Sequence, residues 1–147
     1  MRWITGIGIG LVVLSGCGSG SRSSVTLPQG CIEGPGPVLK ALAKAPGPVA
    51  IDGTSISGCF SRNSTGDDEQ ILGTNLLSAA QQLGDRAHAG NATAALQLGY
   101  LVGAAERGAK RTGAAPELIR RLHAEAAVPS ATRTAYARGH NAGSSQG

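Results

Sequence analysis

Three histidines are the residues of this 147-residue chain best suited to acid–base or metal chemistry: His88, His123 and His140. No two of them are four residues apart, and no His-Glu-x-x-His pattern occurs, so the sequence predicts no metal site. His88 and His123 fall near the ends of predicted helices, where an imidazole interacts favourably with the helix dipole. We therefore expect structural roles for these side chains, with neither a metal ion nor any other cofactor.

The other groups that could do chemistry also favour structural interpretations. Asp67, Asp68 and Glu69 are adjacent carboxylates, but at a predicted helix start they suit the positive end of the dipole better than the acid pair of a glycosidase. Residues 53–58 (GTSISG) are rich in serine without forming a Gly-x-Ser-x-Gly nucleophile elbow. The prolines of residues 34–37 (GPGP) remove amide donors that a phosphate-binding loop needs. The sequence thus predicts no catalytic residue.

Cysteine is the remaining reactive residue type, at positions 17, 31 and 59. If Cys17 is used elsewhere, Cys31 and Cys59 have one possible intramolecular pairing, which outside the cytoplasm would be a disulfide. Closing this loop would stabilise the fold by about 3.5 kcal/mol on the chain-entropy model. The alternative is two free thiols.

The N-terminus has the order of charged, apolar and small residues that is typical of an export signal. Arg2 is positively charged, residues 4–14 carry no charge, and residues 14–17 (LSGC) follow. The uncharged stretch is shorter than the roughly 20 residues that a membrane-spanning helix needs. Residues 14–17 resemble the lipobox of bacterial lipoproteins, and the resemblance covers only residues 1–17.

The lipobox resemblance implies that residues 1–16 are removed and that Cys17 is acylated through its sulfur. Two or more acyl chains hold a protein stably on a bilayer, so the bilayer is the first expected partner. We expect an exported protein that is lipid-anchored on the extracytoplasmic face of a bacterial membrane. The alternative is an ordinary secreted protein with an incidental cysteine.

Changes in composition divide the chain into five parts. They are the signal peptide (1–16), a flexible Gly- and Ser-rich tether (17–30), a disulfide-tied segment (31–65), a helical region (66–140) and a disordered polar tail (141–147). In the third part, Asp52-Gly53 between short β-prone runs favours a β-hairpin, the alternative being an irregular loop with a tight turn. We expect a mainly α protein: a small bundle of three or four helices preceded by the disulfide-tied segment.

Apolar residues at three- and four-residue steps predict the helices of the bundle. The first runs from the acidic residues near position 67 to Gly90, and the second begins after Asn91 and reaches position 110. Pro116 opens the third, and a fourth and weaker helix runs from Ser130 to about His140. A shorter helical stretch begins at position 37, within the disulfide-tied segment.

The second helix carries a stripe of small residues, Ala95, Gly99 and Gly103, that fall on one side. Glycine is about 1 kcal/mol less favourable than alanine in a helix, so we expect the stripe to seat this helix closely against the first or third. The alternative is a groove for a partner's helix. Residues 98–103 also resemble helical repeats of the tetratricopeptide and Sel1 type, but only one unit is present and such stacks need about three.

The net charge of the chain is +4. Its densest basic group consists of five residues: Arg107, Lys110, Arg111, Arg120 and Arg121. Helix-end compensation explains the first three, and the group as a whole could contact an anionic surface or form a solvated face. Basic and aromatic residues are not interleaved as base stacking requires, so we expect no nucleic-acid partner.

The sequence does not specify a reaction. It favours a non-enzymatic lipoprotein that contacts or scaffolds an envelope protein or an anionic polymer. The alternative is a small extracytoplasmic hydrolase with an unidentified site, and the scarcity of aromatic residues disfavours a ligand-binding lipoprotein. A pocket that holds His123 beside a carboxylate would favour the enzyme, whereas an exposed apolar groove along Ala95, Gly99 and Gly103 would favour a protein partner.

Overall fold

The computed structural model describes residues 27–60, 66–112 and 115–147. The elements are α1 (Gln29–Ile32), α2 (Pro35–Leu42), β1 (Ala50–Ile51), β2 (Thr54–Ser55), α3 (Gly66–His88), α4 (Ala92–Thr112), α5 (Pro116–Glu125) and α6 (Arg133–Gln146), with 3₁₀ helices at Ile56–Cys59 and Ser130–Thr132. The predicted fold class, a mainly α bundle after a disulfide-tied segment, is confirmed.

The β-hairpin predicted around Asp52 and Gly53 is present. Ile51 pairs with Thr54 in an antiparallel register. Asp52 and Gly53 have φ angles of 50° and 79°, the left-handed conformations that a two-residue type I′ turn requires. The carboxylate of Asp52 also accepts a 2.8 Å hydrogen bond from the backbone N–H of Gly30, so the turn is fastened to α1.

Cys31 and Cys59 form the predicted disulfide, with their Cα atoms 5.9 Å apart. Both cysteines are fully buried, and the Asn75 side chain of α3 donates a hydrogen bond to the carbonyl of Cys31. The crosslink therefore joins α1 to the 3₁₀ helix at Ile56–Cys59 inside the core, beside the first helix of the bundle.

The predicted tether is wrong at its C-terminal end, because residues 27–30 belong to the folded domain. Leu27 is only 4% exposed. Gly30 packs so tightly on Ile51 and Asp52 that an added Cβ would lie 2.7 Å from a carboxylate oxygen of Asp52, so it is a close-packing glycine and not a linker glycine. The predicted signal peptide, Cys17 and the rest of the tether lie outside the described residues.

The helix α4 lies at the centre of the bundle. The preceding helix, α3, begins and ends close to the positions predicted for it, near residue 67 and before Gly90. Gly90, with a φ of 88°, separates the two helices, and the Asn91 side chain caps α4 by accepting a 2.9 Å hydrogen bond from the N–H of Ala94. Tyr100 is fully buried, and its hydroxyl accepts a hydrogen bond from the N–H of Val49. This bond ties α4 to the hairpin segment.

The predicted disordered tail, residues 141–147, is wrong: α6 continues past His140 to Gln146. Gly143 and Gly147 are buried, and the carbonyl of Gly147 accepts a hydrogen bond from the hydroxyl of Ser57. The segment is polar in composition, but its glycines allow its backbone to pack on α4. A hydropathy pattern does not reveal contacts between glycine backbone and a neighbouring helix.

The glycine stripe packs inside the protein, as predicted, but its neighbour is α6 and not the first or third helix of the bundle. An added Cβ at Gly99 would lie 2.8 Å from the backbone nitrogen of His140. The contact is mutual, since a Cβ at Gly139 or Gly143 of α6 would lie 3.0 Å from a backbone nitrogen of α4. The two backbones therefore touch at Gly99 and Gly103, and Ala95 is fully buried. The helix α6 occupies the place considered for a partner's helix.

Candidate functional site

A groove that is open to solvent lies where the C-terminal half of α4 meets α5 and α6. Its volume is about 630 Å³. The lining residues are Glu106, Arg107, Lys110, Arg111, Ile119 and Ser144. Four of them come from the last two turns of α4, so the groove follows one face of the end of that helix.

Glu106 lies beside this groove between two imidazoles. One carboxylate oxygen is 2.8 Å from Nε2 of His123, and the other is 2.9 Å from Nε2 of His140. An ionised carboxylate only accepts hydrogen bonds, so each Nε2 carries the donated proton. We call these three side chains the His–Glu–His cluster.

Three helices position the His–Glu–His cluster. Glu106 lies on α4, His123 in the last turn of α5, and His140 on α6. The ring of Tyr136 stacks on His140 with its centroid 6.0 Å away. Burial and the nearby Glu106 carboxylate together raise the pKa of Tyr136 to about 12, so the phenol is neutral at physiological pH.

The cations of the groove are not equivalent. Arg107 donates hydrogen bonds from its guanidinium to the carbonyls of Ser144 and Ser145, which lie near the C-terminal end of α6, where a cation is favoured. Carbonyl partners satisfy N–H groups without cancelling the positive charge. Lys110 is exposed. The groove therefore presents net positive charge from α4.

Arg120 and Arg121 differ from the groove cations, because both pair with one carboxylate. Glu117 is 2.7 Å from Arg120 and 2.9 Å from Arg121. Hydrogen bonds donated by Arg120, and to a lesser extent by Arg121, lower the pKa of Glu117 to about 2. The basic group identified in the sequence thus divides into a groove part on α4 and a partly neutralised part on α5.

The remaining histidine and acidic residues that the sequence singles out are not among the residues that line this groove. His88 hydrogen-bonds to the carbonyl of Gly84 within its own helix, at 2.9 Å. Asp67, Asp68 and Glu69 lie in the first turn of α3. In the part of the chain that the structure describes, no group of three His, Cys, Asp or Glu side chains could hold a metal ion.

The His–Glu–His cluster was missed in the sequence because its members are far apart in the chain. His140 and Glu106 are separated by 34 residues. One signal was available: Glu106 is the sole acidic residue of α4, in a helix that is otherwise apolar, small, polar or basic. An isolated carboxylate of that kind marks a place where a partner is needed.

Chemically, the cluster supplies imidazoles oriented by a carboxylate, which is one part of many hydrolytic sites. Among the described residues, no serine hydroxyl is hydrogen-bonded to either imidazole. Within residues 27–60, 66–112 and 115–147, the arrangement therefore has a potential base and an orienting carboxylate, but no hydroxyl nucleophile bonded to that base.

Comparison with protein families, with curated proteins and with solved structures gives no match to this chain. Over residues 27–60, 66–112 and 115–147, no helix is long and apolar enough to cross a membrane.

Proposed function

We propose that this protein is an exported, lipid-anchored contact module of a bacterial envelope, with its helical domain presenting the groove of α4 to an envelope component. The observation that carries the proposal is the buried Cys31–Cys59 disulfide. Disulfides persist in extracytoplasmic compartments and are reduced in the cytoplasm.

The lipobox-like residues 14–17 support the same address independently. Leu27 is buried in the domain, and Cys17 lies ten residues before it in the sequence. An acylated Cys17 would thus hold the domain close to the bilayer without any spanning helix.

A contact role is favoured over a catalytic one by the contents of the groove. Its cations Arg107 and Lys110 are suited to bind anions, whereas the imidazoles of His123 and His140 already donate to Glu106. Docking of a partner's helix along Gly99 is disfavoured, because α6 already packs there. Contact through the groove with an anionic polymer is therefore favoured over contact through an apolar face.

Membrane fractionation of cells that express Cys17→Ser tests the proposed lipid anchoring. We expect the variant to leave the membrane fraction or to accumulate as the uncut precursor, because the acylated thiol is lost. Ser15→Ala is the matched control, since it keeps a small residue in the lipobox and should be processed like the wild type. Normal processing and membrane retention of Cys17→Ser would contradict the proposal.

A small extracytoplasmic hydrolase is the second candidate, and one observation favours it. His123 lies beside the carboxylate of Glu106, which lines the groove, and an imidazole beside a carboxylate is typical of hydrolytic sites. Assays of the purified chain on ester, phosphoester and glycoside panels test it. Hydrolysis that is lost in His123→Ala while the fold is retained would replace the contact role.

A further inference from the structure

We propose that the α4 groove is a binding site for a linear polyanion, a polymer chain that carries repeated phosphate groups. The inference deepens the proposed function by naming the chemistry of the contact. The inference rests on the proposed function only for the location, outside the cytoplasm, at which the protein would encounter such a polymer.

The charge of Arg107 is the first support. The guanidinium is held in place by two backbone carbonyls of α6, so it is oriented before any ligand arrives and keeps its full charge. A guanidinium presents N–H donors in a planar fork that matches the oxygens of a phosphate. Little side-chain freedom would be lost when it binds one.

Lys110 supplies a second cation on the same face. It follows Arg107 by three residues, so the two side chains project from neighbouring turns of α4 toward the same groove. Arg111 also lines the groove. Two or more cations in a row along a helix suit a repeated anion better than a single one.

The carboxylate of Glu106 would be expected to repel such a ligand, but both of its oxygens face imidazole donors at 2.8 and 2.9 Å. Both oxygens are therefore engaged within the His–Glu–His cluster, and the cations that line the groove outnumber this one carboxylate. On α5, by contrast, Glu117 is paired with both Arg120 and Arg121, so one of the two positive charges there is neutralised.

The shape of the site favours a polymer over a bilayer surface. The groove is concave, with a volume of about 630 Å³, and Ile119 forms part of its wall. A flat layer of headgroups would contact a groove less fully than a single extended chain, which can enter it and reach the residues that line it, Ser144 among them. Charge and shape together favour a phosphate-bearing chain.

The test uses the full chain, purified from whichever fraction contains it, and fluorescently labelled linear inorganic polyphosphate as the probe. Anisotropy titrations give the Kd for the wild type and for Lys110→Glu. We expect the variant to bind at least about fivefold more weakly, since one surface ion pair is lost and a repulsion is added. Lys44→Glu is the matched control: it makes the same charge change at an exposed lysine just beyond α2, and should alter the Kd less than about twofold.

Three results would overturn the inference. If the wild-type protein does not bind polyphosphate, the groove is not a polyphosphate-binding site. If Lys44→Glu and Lys110→Glu weaken polyphosphate binding equally, the binding depends on the overall net charge of the protein and not on the groove. Binding to vesicles of anionic phospholipid without binding to polyphosphate assigns the groove to a membrane surface instead. If the protein binds polyphosphate but is not anchored to a membrane, only the proposed localisation is contradicted. If it is anchored but does not bind polyphosphate, only the proposed binding site is contradicted.

Discussion

Replacing Gly99 by alanine should destabilise the protein, although alanine is the better helix former. The added Cβ would meet the carbonyl of Tyr136 and lie 2.8 Å from the backbone nitrogen of His140. Real Cβ atoms essentially never approach closer than 3.0 Å. Because the obstacles are backbone atoms, no side-chain rotation relieves the clash, and the helices α4 and α6 must separate.

The magnitude follows from two opposing terms. Overpacking typically destabilises by about 1–3 kcal/mol, and the upper value applies here because rigid backbone lies on both sides. Helix propensity returns about 1 kcal/mol. The net loss is then about 2 kcal/mol, which for a domain of this size lowers the Tm by about 8 °C.

Gly73 provides the matched control within α3. A Cβ there would lie 3.7 Å from the Leu118 side chain, which is ordinary van der Waals contact. Gly73→Ala should therefore gain the propensity term alone and raise the Tm by up to about 4 °C. Thermal unfolding of the full chain followed by far-ultraviolet circular dichroism compares the two variants. A Tm for Gly99→Ala at or above that of the wild type would refute the close packing of α4 on α6.

Two other predictions concern the crosslink and the phenol. Reduction of the Cys31–Cys59 disulfide should lower the free energy of unfolding by about 3.5 kcal/mol, as measured by urea titration with and without reductant; complete alkylation of both thiols in the folded, unreduced protein would show that the bond is absent. The pKa of Tyr136 is raised to about 12 in the fold against about 10 in an unfolded chain, so its contribution to stability is complete below pH 10 and is lost as the pH rises from 10 to 12. The fall in Tm across this range should be smaller in Tyr136→Phe, and equal falls in the two proteins would contradict the assignment.

Much of the bundle could be predicted because its helices follow simple local rules. The apolar positions of α3 recur on one face, Asn91 caps α4, and Pro116 opens α5. The turn at Asp52 and Gly53 has the same local character, because few residues adopt two successive positive φ angles. The disulfide followed from counting cysteines.

The C-terminal end of α6 could not be predicted in the same way. Beyond His140 it offers glycine, serine and asparagine where an amphipathic pattern would show apolar side chains, and its buried residues are Gly139 and Gly143. The helix exists because α4 presents glycines at matching positions. That complementarity is between two segments, so neither one reveals it alone.

The candidate site was harder still. The sequence places His123 near a helix end, offers no partner for His140, and does not single out Glu106. Their meeting depends on how α5 and α6 pack on α4, which no short-range pattern encodes. The basic residues were found by composition, but the division between Arg107 and Arg120 depends on which of them faces a carboxylate.

The glycine contact between α4 and α6 also has a consequence for how the protein responds to temperature. Burial of apolar surface is the main source of the heat-capacity change of unfolding, and it weakens on cooling. The docking of α6 places Gly99 and Gly103 against the backbone of α6, and Gly139 and Gly143 against the backbone of α4. Each of these contacts therefore removes little hydrocarbon from water for the residue that it orders. The attachment of this helix should therefore have a flatter temperature profile than the leucine-filled contacts around Leu76 and Leu101, and cooling should loosen those contacts before it loosens α6.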